Sequence, residues 1–373
     1  MLTAGILLSL GTAQAMAGDT IKVGTFLAVT GGASFLGDPE LKTLQMYVDE
    51  VNAAGGVDGK MVELIHYDTG GKAKEAVKFA KRLIQKDKVD VIVGGSTSGS
   101  SLAVMPLVAS SKTPFISLAG SVKIIYPVQK WTFKTPHTDA MAAAKIFSDM
   151  QRRGITKVAL ISGSGGFDKS GRAQSLELAP QYGITIVADE SYGGKDTDMT
   201  AQLTKIRDTD AEAILNFGFG SGPAIVTKNV RQLGITLPLY QSHGVASKKY
   251  IELAGEAAEG VRLPAAALLV ADQLPDSDPQ KAVLLAYKNK FEASHGAVST
   301  FGGHAYDGLY IALEAMDRAN STDKAKVRDE IEMTTGFIGT GGIFNMSPSD
   351  HLGLGIDAFK MLEIKNGEIG RAS

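Results

Sequence analysis

The chain has 373 residues, 44% of them hydrophobic and 21% charged, which is ordinary globular usage and sets aside disordered and fibrous classes. Its 38 Lys and Arg against 40 Asp and Glu leave a formal net charge of -2, so no basic field attracts nucleic acid or an anionic membrane. Cysteine is absent, which excludes thiolate metal sites, redox pairs, cysteine nucleophiles and disulfides together.

The first feature is a short apolar run, Ala4 to Leu10, followed by Ala13-Gln14-Ala15 and Ala15-Met16-Ala17. The run is too short to span a bilayer, and both tripeptides have the small-x-small form of an export cleavage site. Residues 1–17 therefore read as a signal peptide and the mature chain as periplasmic. A disordered tail is the alternative. No Lys or Arg precedes the run, so a few basic residues are expected upstream of Met1.

Ile21 to Val29 reads as a buried strand, and Gly37 to Ala54 as a helix with Leu41, Leu44, Val48 and Val51 on one face. Lys60 to Asp68 is a strand. The next helix carries Ala73, Ala76, Val77, Ala80, Leu83 and Ile84 as a 3.6-residue stripe. Val89 to Val93, Ser100 to Ser111 and Thr113 to Ser117 continue as strand, helix and strand. The alternation restarts after Pro136 with a helix over Asp139 to Arg153 and a strand over Lys157 to Ser162. Lys169 to Tyr182, Thr185 to Ala188, Met199 to Thr209, Ala213 to Phe217, Gly222 to Leu233 and Pro238 to Gln241 follow in turn. Such a pattern implies parallel sheets with helices on both faces. Arg262 to Leu269 is extended. Helices are predicted over Pro279 to Ser294, Gly303 to Ala319 and Lys324 to Thr334, and antiparallel strands over Ile343 to Ile364.

The late helices need a sheet to cover, and the first unit is short of helices. The chain is therefore expected to cross between two lobes three times, near Lys134 to Asp139, Arg262 to Leu269 and Thr340 to Phe344. This gives one lobe from residues 18–137 and 267–341, and a second from 138–266 and 342–373.

Ligands of open parallel sheets bind beyond the carboxyl ends of the strands. The loops there hold Thr30 to Gly37, Gly94 to Ser101, Ser117 to Ser121, Gly163 to Asp168, Gly218 to Gly222 and Ser242 to Gly244. They are rich in Gly and Ser and nearly free of Lys and Arg, a set suited to one small anion. Any one such loop reads equally as a plain turn; what points to a site is the recurrence of hydroxyls in both units. Gly163 to Asp168 lacks the last glycine of a dinucleotide fingerprint, and Gly94 to Ser98 lacks the last glycine of a nucleophile elbow. None of the six histidines has helical metal-ligand spacing to another. His243 alone falls in a predicted crevice loop.

The sequence resembles the periplasmic solute-binding proteins of the branched-chain amino-acid transport family, which have the type I fold. The resemblance runs through Ile21 to Gly24, Thr30 to Gly37, Val51 to Val57, Val93 to Gly99, Pro114 to Ser117, Phe133 to Thr135, Gln232 to Gly234 and Ala305 to Asp307. It implies an α/β receptor of two doubly wound lobes on a three-segment hinge, closing on a solute and delivering it to the membrane permease of an ABC importer. It implies a ligand carboxylate held at the positions of Thr97, Ser98, Ala119, Gly120 and Ser121, with aromatic cover from Phe35, Phe167 and Phe219. It implies no enzyme activity, no cofactor, no metal and a monomer.

One position departs from the family. Its amino-acid binders place an acidic residue in the second lobe against the ligand ammonium, where this chain has His243. Imidazole cannot replace a carboxylate as counter-ion to an ammonium. The expected ligand is therefore a carboxylate without α-ammonium and with an aromatic body, such as an aromatic 2-oxo acid or benzoate. The alternatives are a branched-chain or other amino acid paired with Asp168, a cytoplasmic amide-sensing regulator, and a serine hydrolase using Ser98 or Ser121 with His243.

Overall fold

The computed structural model describes residues 20–372, so the expected signal peptide lies outside the described residues. The first half of the chain runs β1 (Ile21–Leu27), α1 (Ser34–Ala53), β2 (Val62–Asp68), α2 (Ala73–Arg82), β3 (Val91–Gly94), α3 (Ser98–Ser111), β4 (Phe115–Ser117) and β5 (Thr132–Lys134). The five strands form one parallel sheet in the order β2-β1-β3-β4-β5. Its inner strands β3 and β4 are mostly apolar and buried along their whole length, as a sheet covered by helices on two sides requires. β5 has no counterpart among the predicted strands. Three residues after Trp131 give too short a period to read.

The chain then builds a second sheet. It runs α4 (Asp139–Arg152), β6 (Lys157–Ser162), α5 (Gly166–Leu178), β7 (Thr185–Ser191), α6 (Thr200–Arg207), β8 (Ala213–Phe217), α7 (Gly222–Gln232), β9 (Leu239–Gln241), α8 (Lys248–Ala254) and β10 (Arg262–Ala266). After it come α9 (Lys281–His295), α10 (Thr300–Ala319), α11 (Lys324–Glu332), the β11 (Phe337–Ile338) and β12 (Ile343–Phe344) hairpin, β13 (Phe359–Lys365) and β14 (Glu368–Arg371). The second sheet has the order β14-β13-β10-β9-β8-β6-β7, with β13 and β14 antiparallel as expected.

The late helices do cover the first sheet. α10 packs on α1, β3 and β4, and its Ala305, Leu309, Ala312 and Met316 sit in one core with Val23, Val93 and Ile116. The chain thus passes between the sheets after Lys134, after Ala266 and once near the end. That last passage corrects the expectation of Thr340 to Phe344. Phe344, Met346, Leu352 and Leu354 all belong to the first core, so the chain leaves it only after Leu354. Apolar side chains over 344–354 hold the segment in place where a hinge strand was expected.

Two local constraints set the cleft. Gly37 lies so close to the backbone of Ala28 that a Cβ would collide with it, which docks α1 against the end of β1. On the other side, Asp149 of α4 accepts Arg262 Nε at 2.9 Å and Nη2 at 3.1 Å and the Tyr240 hydroxyl at 2.9 Å. Arg262 Nη1 donates to Glu363 at 2.7 Å. This network ties α4, β9, β10 and β13 together within the second half. Removing one partner of a buried ion pair leaves an uncompensated charge. Asp149→Ala is expected to cost roughly 3 kcal/mol, read as a lower urea midpoint; an unchanged midpoint would show that the network contributes nothing.

Candidate functional site

The carboxyl ends of both sheets face each other, and the halves touch. Ser121 Oγ of the loop after β4 lies 2.7 Å from Ser170 Oγ of α5. Between them is a cavity of about 40 Å³ whose wall includes Ser96, Thr97, Ser98, Gly120, Phe167, Phe219 and His243. A larger cavity of about 410 Å³ adjoins it through Thr97, Ser98, Phe167 and Phe219 and reaches Asp168 and Tyr192.

The hydroxyl side comes from β3 and α3. Thr97 caps α3, accepting the Ser100 N–H at 3.3 Å, so the positive end of the helix opens at the cavity wall. Ser98 Oγ accepts the Ser121 N–H at 3.2 Å. Ala119 and Ser121 are buried behind the wall instead of lining it. Gly120 does line it, because a side chain there would not fit. Its Cβ would fall 2.8 Å from Phe167 Cε2 and 2.9 Å from His243 Nε2.

The aromatic side comes mainly from the second half. Phe167, the second residue of α5, packs at 5.1 Å and edge-on to the His243 ring. Phe219 meets Phe167 at 6.2 Å. Phe35 is not in the cavity wall. It leans on Phe219 at 6.3 Å and Phe301 at 5.6 Å and borders an outward pocket, while its neighbour Leu36 faces the cavity.

His243 follows β9 in a turn that Ser242 Oγ closes by accepting the Gly244 N–H at 3.3 Å. Neither of its buried ring nitrogens has a partner in hydrogen-bond geometry, although the His137 carbonyl faces the ring. Burial, aided by Lys134 and His304, pushes it down to about 3, so the imidazole is neutral. Asp168 accepts the Gly165 N–H at 2.9 Å through Oδ2, while its buried Oδ1 has no partner. Burial raises this carboxyl to about 6.

Sequence reasoning placed Ser96 in a crevice loop without giving it a role, and missed Phe301 and His304. Ser96 accepts the Ala28 N–H at 2.9 Å and donates to Glu40, a carboxyl that burial holds well above its usual range. Phe301 and His304 enter from α10, and His304 Nδ1 is buried without a partner. Helical spacing alone could have paired these two, but nothing local says that their helix reaches the cleft. Because Gly120 is the tightest approach, Gly120→Ala is expected to hold the halves apart. That would appear as a larger radius of gyration in X-ray scattering with little change in Tm; an unchanged radius would show that Phe167 and His243 give way.

The periplasmic binding protein family matches residues 20–368. The leucine-, isoleucine-, valine-, threonine-, and alanine-binding protein of Pseudomonas aeruginosa is 24% identical over 341 residues, 88% of this chain and 86% of the relative. An extracellular ligand-binding receptor from Rhodopseudomonas palustris HaA2 superposes with a TM-score of 0.89 at 26% identity, over 95% of this chain and 100% of its own. The substrate-binding protein LivJ from Streptococcus pneumoniae, solved with isoleucine, gives 0.83 at 25% identity, over 95% and 99%. Two sheets of mainly parallel strands meeting at their carboxyl ends, three chain passages and a match along nearly the whole described chain make this protein a member of the periplasmic binding protein family, with the type I fold.

Proposed function

We propose that this receptor captures a small carboxylate without an α-ammonium and with an apolar, aromatic body, and passes it to the permease of an ABC importer. The observation that carries this reading is the neutral, unpartnered His243 in a cavity wall that includes no Asp or Glu among the described residues. Neutral imidazole donates from one nitrogen and accepts at the other, so it can meet the oxo or hydroxyl oxygen of an aromatic 2-oxo acid. It offers an ammonium no counter-charge. The ligand carboxylate takes the Thr97, Ser98 and Gly120 side, where hydroxyls and the α3 N-terminus stabilise negative charge. Phe167 and Phe219 face its body.

Closure does the selecting. Lobes of residues 20–137 with 267–354, and of 138–266 with 355–372, swing together on the three passages. The closed form is favoured only as far as the ligand binds it better than the open one. Water leaves on closing, so each polar group that a wrong ligand fails to meet costs roughly 1–3 kcal/mol. Turnover is not expected. Ser98 Oγ is engaged with Ser121 N–H and Ser121 Oγ with Ser170, and neither hydroxyl bonds His243. The protein acts as a monomer in the periplasm. Among the described residues no helix is long and apolar enough to cross a membrane.

A second reading has its own observation. The free Oδ1 of Asp168 at the adjoining cavity could hold an ammonium, and the Pseudomonas and Streptococcus relatives carry amino-acid names. A thermal-shift screen with phenylglyoxylate, benzoate, leucine and isoleucine separates the two. Saturation at 100 times Kd stabilises by about 2.7 kcal/mol. The first reading expects shifts with the aromatic acids, a loss of tenfold or more in affinity in His243→Glu, and no loss in Asp168→Asn. Shifts with leucine alone, abolished by Asp168→Asn, would establish the second. Leucine affinity would then fall as pH drops through about 6 and Asp168 protonates.

A further inference from the structure

Behind the cavity wall lies a buried lysine. Lys134 ends β5, where it pairs with Ser117 in the sheet. Phe133 turns into the first core, and strand alternation sends Lys134 to the opposite face. Its side chain is fully buried at 0% exposure. Nζ donates to the His137 carbonyl at 3.4 Å, a long bond, and among the described residues it joins no ion pair within 4.0 Å. Lysine is almost never fully buried without a paired anion.

The groups that bear on it come from four places. Asp139 opens α4, where its Oδ1 accepts the N–H groups of Val122 and Ala140, both at 2.9 Å. His137 lies on the same passage, stacked at 4.0 Å on Phe359. His243 packs on the other side of Phe359 at 5.3 Å, and His304 faces His137 at 6.3 Å. Buried ring nitrogens of all three histidines lack partners. Two of these rings, His243 and His304, line the cavity. The cluster thus joins the first and third passages to the cavity, and its net sign is positive or neutral apart from Asp139.

We propose that the Lys134 ammonium is the counter-charge for an anionic ligand, acting from behind the His243 and His304 layer, and that capture of the anion places a proton on this amine. The inference rests on the carboxylate reading above. Lys134 is a positioning residue: it selects net negative charge without touching the ligand. Desolvation brings its amine down to about 7, with Asp139 pulling the other way. The histidines, held neutral by burial, do not exchange protons in the same range. Near neutral pH the empty receptor therefore holds Lys134 only partly protonated, and the bound anion restores its charge. The sign follows: anion affinity is level below pH 7 and falls by up to about tenfold per unit above it.

Calorimetry with phenylglyoxylate, in phosphate and in Tris, counts the protons taken up. The expected result is net uptake at pH 7 to 8 and a falling affinity from pH 7 to 9. Lys134→Arg should keep the affinity and flatten the pH profile, since guanidinium stays charged. Lys134→Met should weaken binding and also abolish uptake. Because the wild-type measurement needs no variant, a failure of Lys134→Met to fold leaves the test intact. Phenylglyoxylate that binds with no uptake and level affinity would overturn the proposal and leave the carboxylate reading standing. If only leucine binds, the carboxylate reading fails and this proposal falls with it, because a net-neutral zwitterion brings Lys134 no net negative charge to select.

Discussion

A buried imidazole with two idle nitrogens is a free-energy debt, because each polar group taken from water without a partner costs on the order of 1–3 kcal/mol. His243 carries that cost at the place where the two sheets face each other. The surrounding elements serve this one arrangement. β9 delivers the ring, Ser242 fixes its turn, Phe167 and Phe359 hold its faces, and Gly120 leaves room for its Nε2. A ligand that meets the nitrogens relieves the cost only when the halves are together. On the proposed function, binding and closure are coupled through this cost.

Much of the architecture was legible in the sequence. Strands that are almost wholly apolar, such as Val91–Gly94 and Ala213–Phe217, declare a two-sided cover, and the 3.6-residue stripe of Ala73 to Ile84 declares a helix on it. The need of the late helices for a sheet predicted that the chain returns to the first half, and α10 packs there. What stayed hidden depended on contacts between distant segments. β5 exists because Thr132 to Lys134 align with β4, and the turn after β12 stays in the first half because Met346, Leu352 and Leu354 find apolar neighbours. Neither fact is written in local pattern.

The site divides the same way. Strand-end logic marked the loops, and the family resemblance singled out Thr97, Ser98, Gly120, Phe167, Phe219 and His243, which line one cavity. Phe35, which the resemblance also named, borders an outward pocket beside Leu36, and Ala119 and Ser121 are buried next to Gly120 outside that wall. Sequence reasoning passed over Phe301 and His304, because a helix that belongs to a different part of the sequence gives no loop signal. It also passed over the charge of Lys134, naming the residue only at the start of a crossing and within a family segment. A lysine ending a buried strand is a local anomaly, and that signal was available.

The central claim is that a carboxylate binds at the hydroxyl and helix end while His243 meets an oxygen at the other. A crystal structure with phenylglyoxylate tests it most directly. The account predicts the carboxylate beside Thr97, Ser98 and Gly120, the ring against Phe167 and Phe219, and the oxo oxygen within hydrogen-bond distance of His243. A carboxylate turned instead toward Asp168, or a bound acid that leaves both His243 nitrogens without a partner, would contradict it.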